Sequence, residues 1–185
     1  NLLMISSLIG LKNSALDGLV DLSDLQHQID AIRIVHEKLY QTEDITSINF
    51  REYSDDLLGT LFSSFATRRI RVENDIENIV LPTKLCISLG LIINEIATNA
   101  VKHAFPPEVE EPRFSLDLHR KENLYHLVIS NNGPPFPENI VFDNPQTLGL
   151  RLISVLVEQI DGEIEITRKP HPVFTIQFPA GSWGL

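Results

Sequence analysis

The stretch NEIATNAVKHAF, residues 94–105, places amides, an acid, a lysine and a histidine inside a long apolar run that looks helical. The segment LGLII precedes it and a pair of prolines follows it. Glu95 and Asn99 are four residues apart, and Lys102 and His103 lie three and four residues beyond Asn99. At these spacings the four side chains share one face of a helix.

Two interpretations of this polar face are open. Amide and carboxylate oxygens are hard ligands of the kind that Mg²⁺ takes together with waters and phosphate oxygens. A lysine one turn away is a point charge for those phosphates. The plain alternative is a polar face that meets solvent, although asparagine is a poor helix former and other residues would suit that purpose better. The residues alone do not decide between the two.

The composition bounds the class of protein. The chain has 185 residues, 43% of them hydrophobic, so it can build a real core. A net charge of −10 makes the average surface repel phosphate backbones, which argues against nucleic acid as a partner. No stretch of roughly 18 uncharged apolar residues exists, so we expect no membrane span here. The lone Cys86 fits a reducing, cytoplasmic compartment and a small buried side chain.

The front of the chain predicts a helical hairpin. Residues 2–16 and 22–40 have helical patterns joined around Asp17–Gly18. The second helix carries a heptad seam, the spacing that packs helices as a bundle or coiled coil. Two helices of this length cannot bury both seams alone, so we expect a homodimer through residues 2–40, built as a four-helix bundle. The seam residues are Leu22, Leu25, Ile29, Ile32, His36 and Leu39.

The rest of the chain mixes helices and strands. A helix capped by Asn49, a strand in RRIRVENDI and a long helix from Pro82 come first. Two strands, a polar loop over residues 131–146, a helix from about Leu148 to Asp161 and a terminal hairpin follow. Because the elements lack regular βαβ alternation, we predict an α+β fold, with helices on one face of a mixed, mostly antiparallel sheet.

Two further segments favour the functional interpretation. VISNNGPPFP, residues 128–137, ends a strand in a polar turn that contains Gly133. QTLGLRLISVLVEQIDGEIEI begins a helix beside Thr147 and Gly149, where free backbone N–H groups can meet an anion. Each segment is weak evidence alone, but three in this order are much stronger.

Together the three segments resemble the ATP-binding domain of sensor histidine kinases, the Bergerat (GHKL) nucleotide fold shared with gyrase, Hsp90 and MutL. NEIATNAVKHAF resembles the N box, SNNGPP the first glycine box and TLGLRLISVLVEQIDG the second. VHEKLYQTEDI looks like the second dimerisation helix and linker of the second-type, HWE-related kinases. The resemblance covers nearly the whole chain. It implies dimerisation and phosphotransfer helices over residues 1–42 and an α/β sandwich that binds ATP over residues 43–185.

The resemblance also implies the residues of the site. Asn99 would ligate the Mg²⁺ that bridges the ATP phosphates, with Lys102 and His103 beside those phosphates. Glu95 would orient the waters of the metal or the incoming histidine, and it forms the expected catalytic pair with Asn99. The further residues expected to bind the nucleotide are Asn94, Asn131, Gly133, Thr147 and Gly149.

Two residues depart from the family pattern. The first glycine box usually begins with an Asp whose carboxylate accepts a hydrogen bond from the adenine amino group, and Asn131 stands there. Pro135 replaces the second glycine of that box. An Asn carbonyl can still accept from the amine, with a weaker bond, so we expect ATP binding to be weakened but retained. The short loop between the two glycine boxes predicts a small lid over the nucleotide.

The phosphoacceptor histidine is expected upstream of Asn1. NLLMISSLIGL resembles the run that follows the phosphoacceptor motif HRVKNN of these kinases, which lies on the first dimerisation helix. His36 falls on the heptad seam, so a packing role is expected for it instead. We therefore expect that these 185 residues alone do not phosphorylate themselves.

The leading hypothesis is the core of an ATP-dependent protein-histidine kinase in a two-component system. It would transfer the γ-phosphoryl group of ATP to a helix-borne histidine, from which the aspartate of a response regulator would take it. An upstream sensor domain is the other expected partner. Two alternatives stay open. One is a docking or phosphotransfer module with the same fold and impaired nucleotide binding. The other is an anti-sigma-factor serine kinase, which would lack the helical hairpin.

Overall fold

The computed structural model describes residues 46–64, 69–138, 140 and 147–181, together with Ile29 and Arg33. Within residues 46–181, the helices are α1 (Phe50–Ser64), α2 (Thr83–His103) and α3 (Leu148–Gln159). The strands are β1 (Ser47–Asn49), β2 (Arg71–Ile76), β3 (Val80–Pro82), β4 (Arg113–Lys121), β5 (Leu124–Asn131), β6 (Glu163–Thr167) and β7 (Val173–Pro179).

The predicted hairpin over residues 2–40 lies outside the described residues, apart from two positions. Ile29 and Arg33 are both helical, and Ile29 is 40% exposed. The heptad seam and the dimer that it predicts therefore stay predictions.

Five strands form one sheet in the order β2-β4-β5-β7-β6, and β1 pairs with β3 in a separate antiparallel pair. The β2–β4 pair is parallel, and the other three pairs of the large sheet are antiparallel. The predicted α+β fold with a mixed, mostly antiparallel sheet is thus confirmed.

Alternation along the strands puts the core on one face of the large sheet. In β4 the side chains of Phe114, Leu116 and Leu118 are buried, while the residues between them are only partly covered. Side chains of a strand point to opposite faces with a period of two, so the buried set meets the helices. Tyr125, Leu127 and Ile129 of β5 and Phe174, Ile176 and Phe178 of β7 repeat the pattern.

The edge strands of this sheet are β2 and β6. In β2, Glu73 is half-buried beside Arg71 and Asp75 is exposed. In β6, Glu163 and Glu165 are both exposed. Carboxylates therefore stand at both margins of the sheet.

Helix α1 begins as its sequence predicts. The Asn49 side-chain oxygen accepts a hydrogen bond from the Glu52 backbone N–H at 3.3 Å, which caps the first turn. The helix then buries Phe50, Leu57 and Leu61, spaced along one face, against the core.

Helix α2 is the central element of the core. It starts directly after Pro82, whose missing N–H costs nothing at a helix start. Every residue from Leu85 to Thr98 is buried. By length and composition α2 would suffice to cross a membrane, but 83% of its apolar window is buried inside this fold. Such burial is typical of the core helix of a globular domain.

Cys86 is fully buried in α2, as predicted. Its thiol hydrogen lies toward the Leu81 carbonyl oxygen, with sulfur and oxygen 3.6 Å apart. Desolvation by burial raises the pKa of Cys86 from 9.0 to about 12. The thiol therefore stays protonated near neutral pH and acts as a small core side chain.

Helix α3 and the hairpin after it complete the fold. Thr147 caps the helix, and the chain leaves it at Gly162, whose N–H donates to the Val157 carbonyl at 2.9 Å. The helix ends at Gln159, close to the predicted end, but Asp161 and not Gly162 takes the left-handed conformation, with a φ of 50°. Strands β6 and β7 then pair as the expected terminal hairpin.

Candidate functional site

A cavity of about 370 Å³ opens where α2 ends. Its walls come from the last turns of α2, the loop that follows β5, the start of α3 and the β6–β7 hairpin. Most of the lining is apolar, including Ile96, Ala100, Phe136, Ile140, Leu150 and Phe174. The polar side chains in the lining are Asn99, His103, Asn131 and Thr147.

Four of the sequence-predicted site residues are thus brought together at one cavity, from three distant parts of the chain. Two others, Asn94 and Glu95, are buried on α2 beneath the site and do not line the cavity. Lys102 is exposed on the last turn of α2, next to His103, and is also outside the lining.

The polar face of α2 is buried at Glu95, partly covered at Asn99 and exposed at Lys102 and His103. Asn94 is 2% exposed, Glu95 7% and Thr98 4%. A face that merely met solvent would leave these groups hydrated, since burying a polar group costs free energy unless it is hydrogen-bonded. Asn94, Glu95 and Thr98 therefore do not face solvent, whereas Lys102 and His103 at the end of the helix do.

Gly149 lets the start of α3 approach the acid of α2. A Cβ at position 149 would lie 2.5 Å from Glu95 Oε2 and 3.9 Å from Asn99 Nδ2. A side chain there would require the Glu95 carboxylate to move, so the glycine lets this carboxylate lie directly against the start of α3. The N-box face and the second glycine segment are consequently in direct contact.

Gly133 plays the same part at the other wall of the cavity. A Cβ there would collide with the carbonyl oxygen of Ala104 and lie 2.7 Å from the Ala104 methyl carbon. The glycine thus lets the loop after β5 pack on the last turn of α2. This packing is a different reason for the glycine from the approach to a nucleotide that the resemblance implies.

Asn131 is 7% exposed at the end of β5, where it lines the cavity. Its side-chain oxygen Oδ1 accepts a hydrogen bond from the Gly133 backbone N–H at 2.9 Å. Its own backbone N–H donates to the Pro172 carbonyl at 3.4 Å. Asn131 is therefore bonded both to the loop that follows it and to the turn of the β6–β7 hairpin.

Thr147 begins α3 and uses its side chain as the cap. Its Oγ1 accepts from the Leu150 backbone N–H at 3.4 Å. The first turn of a helix has four N–H groups without a partner in the helix, so one cap leaves others available for an anion at this end.

No motif in the sequence pointed to the residues that hold the loop after β5. Arg168 donates to the carbonyl oxygens of Pro137 at 2.6 Å and Ile140 at 2.7 Å. His171 Nδ1 lies 2.7 Å from the Gly133 carbonyl oxygen and donates to it, because a carbonyl only accepts. Both residues belong to the turn of the β6–β7 hairpin, just after the third segment but about 30 residues after the loop that they hold.

The described residues offer no cluster of three or more His, Cys, Asp or Glu side chains that could hold a metal ion. A cation here would have Asn99 as its protein ligand and would need oxygens from a bound molecule. Hard cations such as Mg²⁺ bind in this way, with few protein ligands and several phosphate or water oxygens. The site therefore fits Mg²⁺ only if the ion arrives bound to the phosphate groups of a ligand.

Residues 86–182, slightly more than half of the chain, match the family described as histidine kinase-, DNA gyrase B- and HSP90-like ATPase. Residues 1–65 match a family described as histidine kinase. Sensor histidine kinase PdtaS of Mycobacterium tuberculosis is 25% identical over 169 residues, covering 89% of this chain and 34% of that protein. Blue-light-activated histidine kinase 2 of Erythrobacter litoralis is 25% identical over 178 residues, covering 91% of this chain and 50% of the relative. The chain thus spans a third to a half of the length of these relatives.

Solved structures share the fold. The histidine kinase domain of the Erythrobacter litoralis EL346 blue-light-activated kinase superposes with a TM-score of 0.79 at 20% identity, covering 96% of this chain and 84% of that one. Full-length ShkA in complex with AMPPNP superposes with a TM-score of 0.52 at 16% identity, covering 70% of this chain and 29% of that one. These structures show the shared fold, and the two family matches show that the chain belongs to the histidine kinase-, DNA gyrase B- and HSP90-like ATPases and carries a sensor histidine kinase core.

Proposed function

We propose that residues 43–185 bind ATP with Mg²⁺ and supply the γ-phosphoryl group to a histidine on the dimerisation helices of the same kinase. The observation that carries the proposal is the cavity at the end of α2, which has an apolar interior, a buried amide at Asn131 and polar groups at Asn99 and His103. That combination suits a flat heterocycle with a charged tail.

The two ends of the ligand would sit at different ends of this cavity. Asn131 and Gly133 pack near Ala104, whereas Asn99 lies near Gly149 and the start of α3. Asn99 and Ala104 are five residues apart, which is about 7.5 Å along a helix axis. The base would therefore lie toward Asn131, and the phosphates toward Asn99 and the N-terminus of α3.

Mg²⁺ would be held by the side-chain oxygen of Asn99 together with phosphate oxygens, and it supplies positive charge that offsets the charge of the transferring phosphoryl group. The exposed Lys102 and His103 stand at the same end of α2 and would add positive charge beside the phosphates. Asn94, which is buried in α2, and Gly149, which is half-buried at the start of α3, would support the site through packing.

Glu95 is proposed to orient the reacting groups. Glu95 is 7% exposed, and its carboxylate lies against the start of α3, which limits its movement. In the reaction the P–O bond to the leaving ADP breaks, a P–N bond to the imidazole forms, and the imidazole loses its proton. Such transfer depends mainly on positioning and electrostatic stabilisation, which a fixed carboxylate serves.

The wider assignment follows from the matched families. Residues 1–42 are proposed to form the dimerisation and phosphotransfer helices, and residues 2–40 to make a homodimer. The match of residues 1–65 to the histidine kinase family supports this. A response regulator is the proposed acceptor of the phosphoryl group, and a sensor domain the proposed upstream partner.

Calorimetric titration of ATP with Mg²⁺ into the purified chain tests the proposal. The wild type is expected to release or absorb heat at millimolar ATP, and Asn99→Ala should remove the Mg²⁺ dependence of binding. Asn123→Ala, in the exposed β4–β5 turn, is the matched control and should bind as the wild type does.

A second candidate function, a docking module with impaired nucleotide binding, is favoured by Asn131 and Pro135 in the cavity lining. The same titration separates it from the kinase proposal. If neither the wild type nor Asn131→Asp shows heat at millimolar ATP, the docking module is correct and the kinase proposal fails.

A further inference from the structure

The loop that follows β5 has few hydrogen-bond donors of its own. Residues 133–137 read GPPFP, and each proline lacks a backbone N–H. Pro134, Pro135 and Pro137 are exposed, so packing holds only part of this stretch. Phe136 of the same stretch is nevertheless half-buried and forms part of the cavity wall. The position of this wall therefore depends on groups outside the loop.

Arg168, in the turn of the β6–β7 hairpin, contacts the loop through its side chain and its backbone. Its guanidinium donates through Nη1 to the Pro137 carbonyl oxygen at 2.6 Å and through Nη2 to that of Ile140 at 2.7 Å. Its carbon Cζ lies 5.5 Å from the centre of the Phe136 ring, and its backbone carbonyl accepts from the Phe136 N–H at 3.0 Å. A guanidinium stays charged and presents its donors in a rigid planar fork, which suits it to hold two carbonyls at once.

The Phe136 ring is also held from the sheet. It meets Phe174 of β7 edge to face, with the ring centres 5.5 Å apart and the planes at 85°. Phe174 is buried and lines the same cavity. Arg168 is half-buried and, among the described residues, does not belong to the lining. Arg168 therefore acts on a bound molecule through the wall that it holds.

We infer that Arg168 is a positioning residue for the nucleotide, which holds Phe136 and its loop in the shape that receives the base. The inference rests on the proposed nucleotide site and adds the residue that keeps the base end of this site formed before the nucleotide arrives. A wall that is already ordered does not have to be ordered on binding, which favours affinity. Loss of Arg168 should therefore weaken binding at the base end and leave the contacts to the phosphates as they are.

The test titrates ATP and ADP, each with Mg²⁺, into the wild type and three variants. Arg168→Met keeps the apolar stem and removes the donors, whereas Arg168→Lys keeps the charge and one donating group. Lys169→Met is the matched control, because it makes the same change at the next residue, whose ammonium bonds the exposed Glu138. We expect Arg168→Met to bind both nucleotides about tenfold more weakly and by the same factor, as for one lost charge-assisted hydrogen bond. Arg168→Lys should lose less, and Lys169→Met should bind as the wild type does.

Two further variants show whether Arg168 acts through Phe136. Phe136→Leu removes the ring that the guanidinium contacts, and the second variant combines this change with Arg168→Met. In the Phe136→Leu background, Arg168→Met should weaken ATP binding by less than about threefold, because part of what it holds is already absent. A role confined to the stability of the hairpin would give the full tenfold factor in both backgrounds, and that result would overturn the inference.

The outcomes separate this inference from the proposed function. If the wild type binds neither nucleotide, the proposed function fails and the inference fails with it. If the wild type binds and Arg168→Met stays within about threefold of it, the inference is wrong and the nucleotide site stands. A much larger loss for ATP than for ADP also overturns the inference, since it would assign Arg168 to the phosphates. Circular dichroism checks the fold of each variant. Should Arg168→Met not fold, Arg168→Lys decides, and an affinity equal to that of the wild type overturns the inference.

Discussion

The two halves of α2 differ in what they bury. From Leu85 to Ile93 the helix buries mainly apolar side chains and contacts α1. From Asn94 onward it buries an amide, a carboxylate and a hydroxyl, contacts α3, and then opens onto the cavity. Burying polar groups lowers stability, so the second half of α2 contributes less to the stability of the fold than the first half does. The first half should therefore control stability, and the second half should control binding.

The largest effect is expected from Ile92→Ala. Ile92 is fully buried in the first half, and its truncation leaves a cavity, which costs about 2–5 kcal/mol of unfolding free energy. Urea unfolding followed by circular dichroism measures it. Val155→Ala, at a position that is 45% exposed on α3, is the matched control and should stay within about 0.5 kcal/mol of the wild type. Equal losses in the two variants would show that α2 is not the centre of the core.

The next effect comes from overpacking. A Cβ at Gly90 would overlap the hydroxyl of the fully buried Tyr53 and lie 2.7 Å from its ring carbon Cζ. Gly90→Ala should therefore cost about 1–3 kcal/mol in the same unfolding assay. Adding Tyr53→Phe should recover part of this loss, because the hydroxyl is the nearest clash.

Gly59→Ala provides the control for helix propensity. A Cβ at Gly59 in α1 would meet nothing within 4 Å, so the change should stabilise the protein by about 0.5–1 kcal/mol. A Gly90→Ala variant that behaved like Gly59→Ala would contradict the tight packing of α1 on the first half of α2.

A pH effect of intermediate size is expected from Cys86. Burial raises its pKa from 9.0 to about 12 in the folded protein, so between these values only the unfolded thiol loses its proton. The free energy of unfolding is therefore highest below pH 9 and falls as the pH rises above it. At pH 10 the thiol alone lowers it by about 1.4 kcal/mol. Burial also raises the pKa of Tyr53, which acts in the same direction at higher pH.

Unfolding at pH 8 and pH 10 of the wild type and Cys86→Ala isolates the thiol. The variant is less stable at both pH values, since it leaves a small void, but its loss between them should be smaller. Parallel losses would mean that the thiol is not desolvated in the folded state.

The smallest stability effect is expected from Asn99→Ala, in the second half of α2. Asn99 is half-buried and alanine is the better helix former, so its unfolding free energy should stay within about 0.5–1 kcal/mol of the wild type. Mg²⁺-dependent ATP binding should be lost in the same preparation, as measured by calorimetry. A loss of stability as large as that of Ile92→Ala would erase the distinction between the two halves.

Local patterns predicted most of the elements, because caps, periodicity and turn residues act over a few positions. The Asn49 cap and the long helix after Pro82 followed from such signals, and the third helix ends near its predicted end, although Asp161 rather than Gly162 makes the left-handed turn. The parallel pairing of β2 with β4 did not, since it joins strands about 40 residues apart with a helix between them. Pairings of this kind depend on tertiary packing, which periodicity does not report.

The sequence predicted the three segments of the candidate site, but it did not predict how they contact one another. The burial of Asn94 and Glu95 and the contact of Glu95 with Gly149 required the docking of α3 on α2. Arg168 and His171 carry no motif, because their role is to bond backbone carbonyls of a loop some 30 residues earlier in the chain. Any donor of suitable length at that point of the hairpin would serve, so composition does not reveal it.

The charged margins of the large sheet bear on how the protein behaves at high concentration. An open strand presents unpaired N–H and C=O groups that a second molecule can extend, which is how edge-to-edge aggregates begin. If two copies paired through their β6 edges, Glu163 and Glu165 of one copy would approach the same carboxylates of the other. Pairing through the β2 edges would bring the two Asp75 carboxylates together in the same way. Like charges disfavour that approach, so the margins should help the kinase core resist polymerising through its sheet and leave assembly to other surfaces.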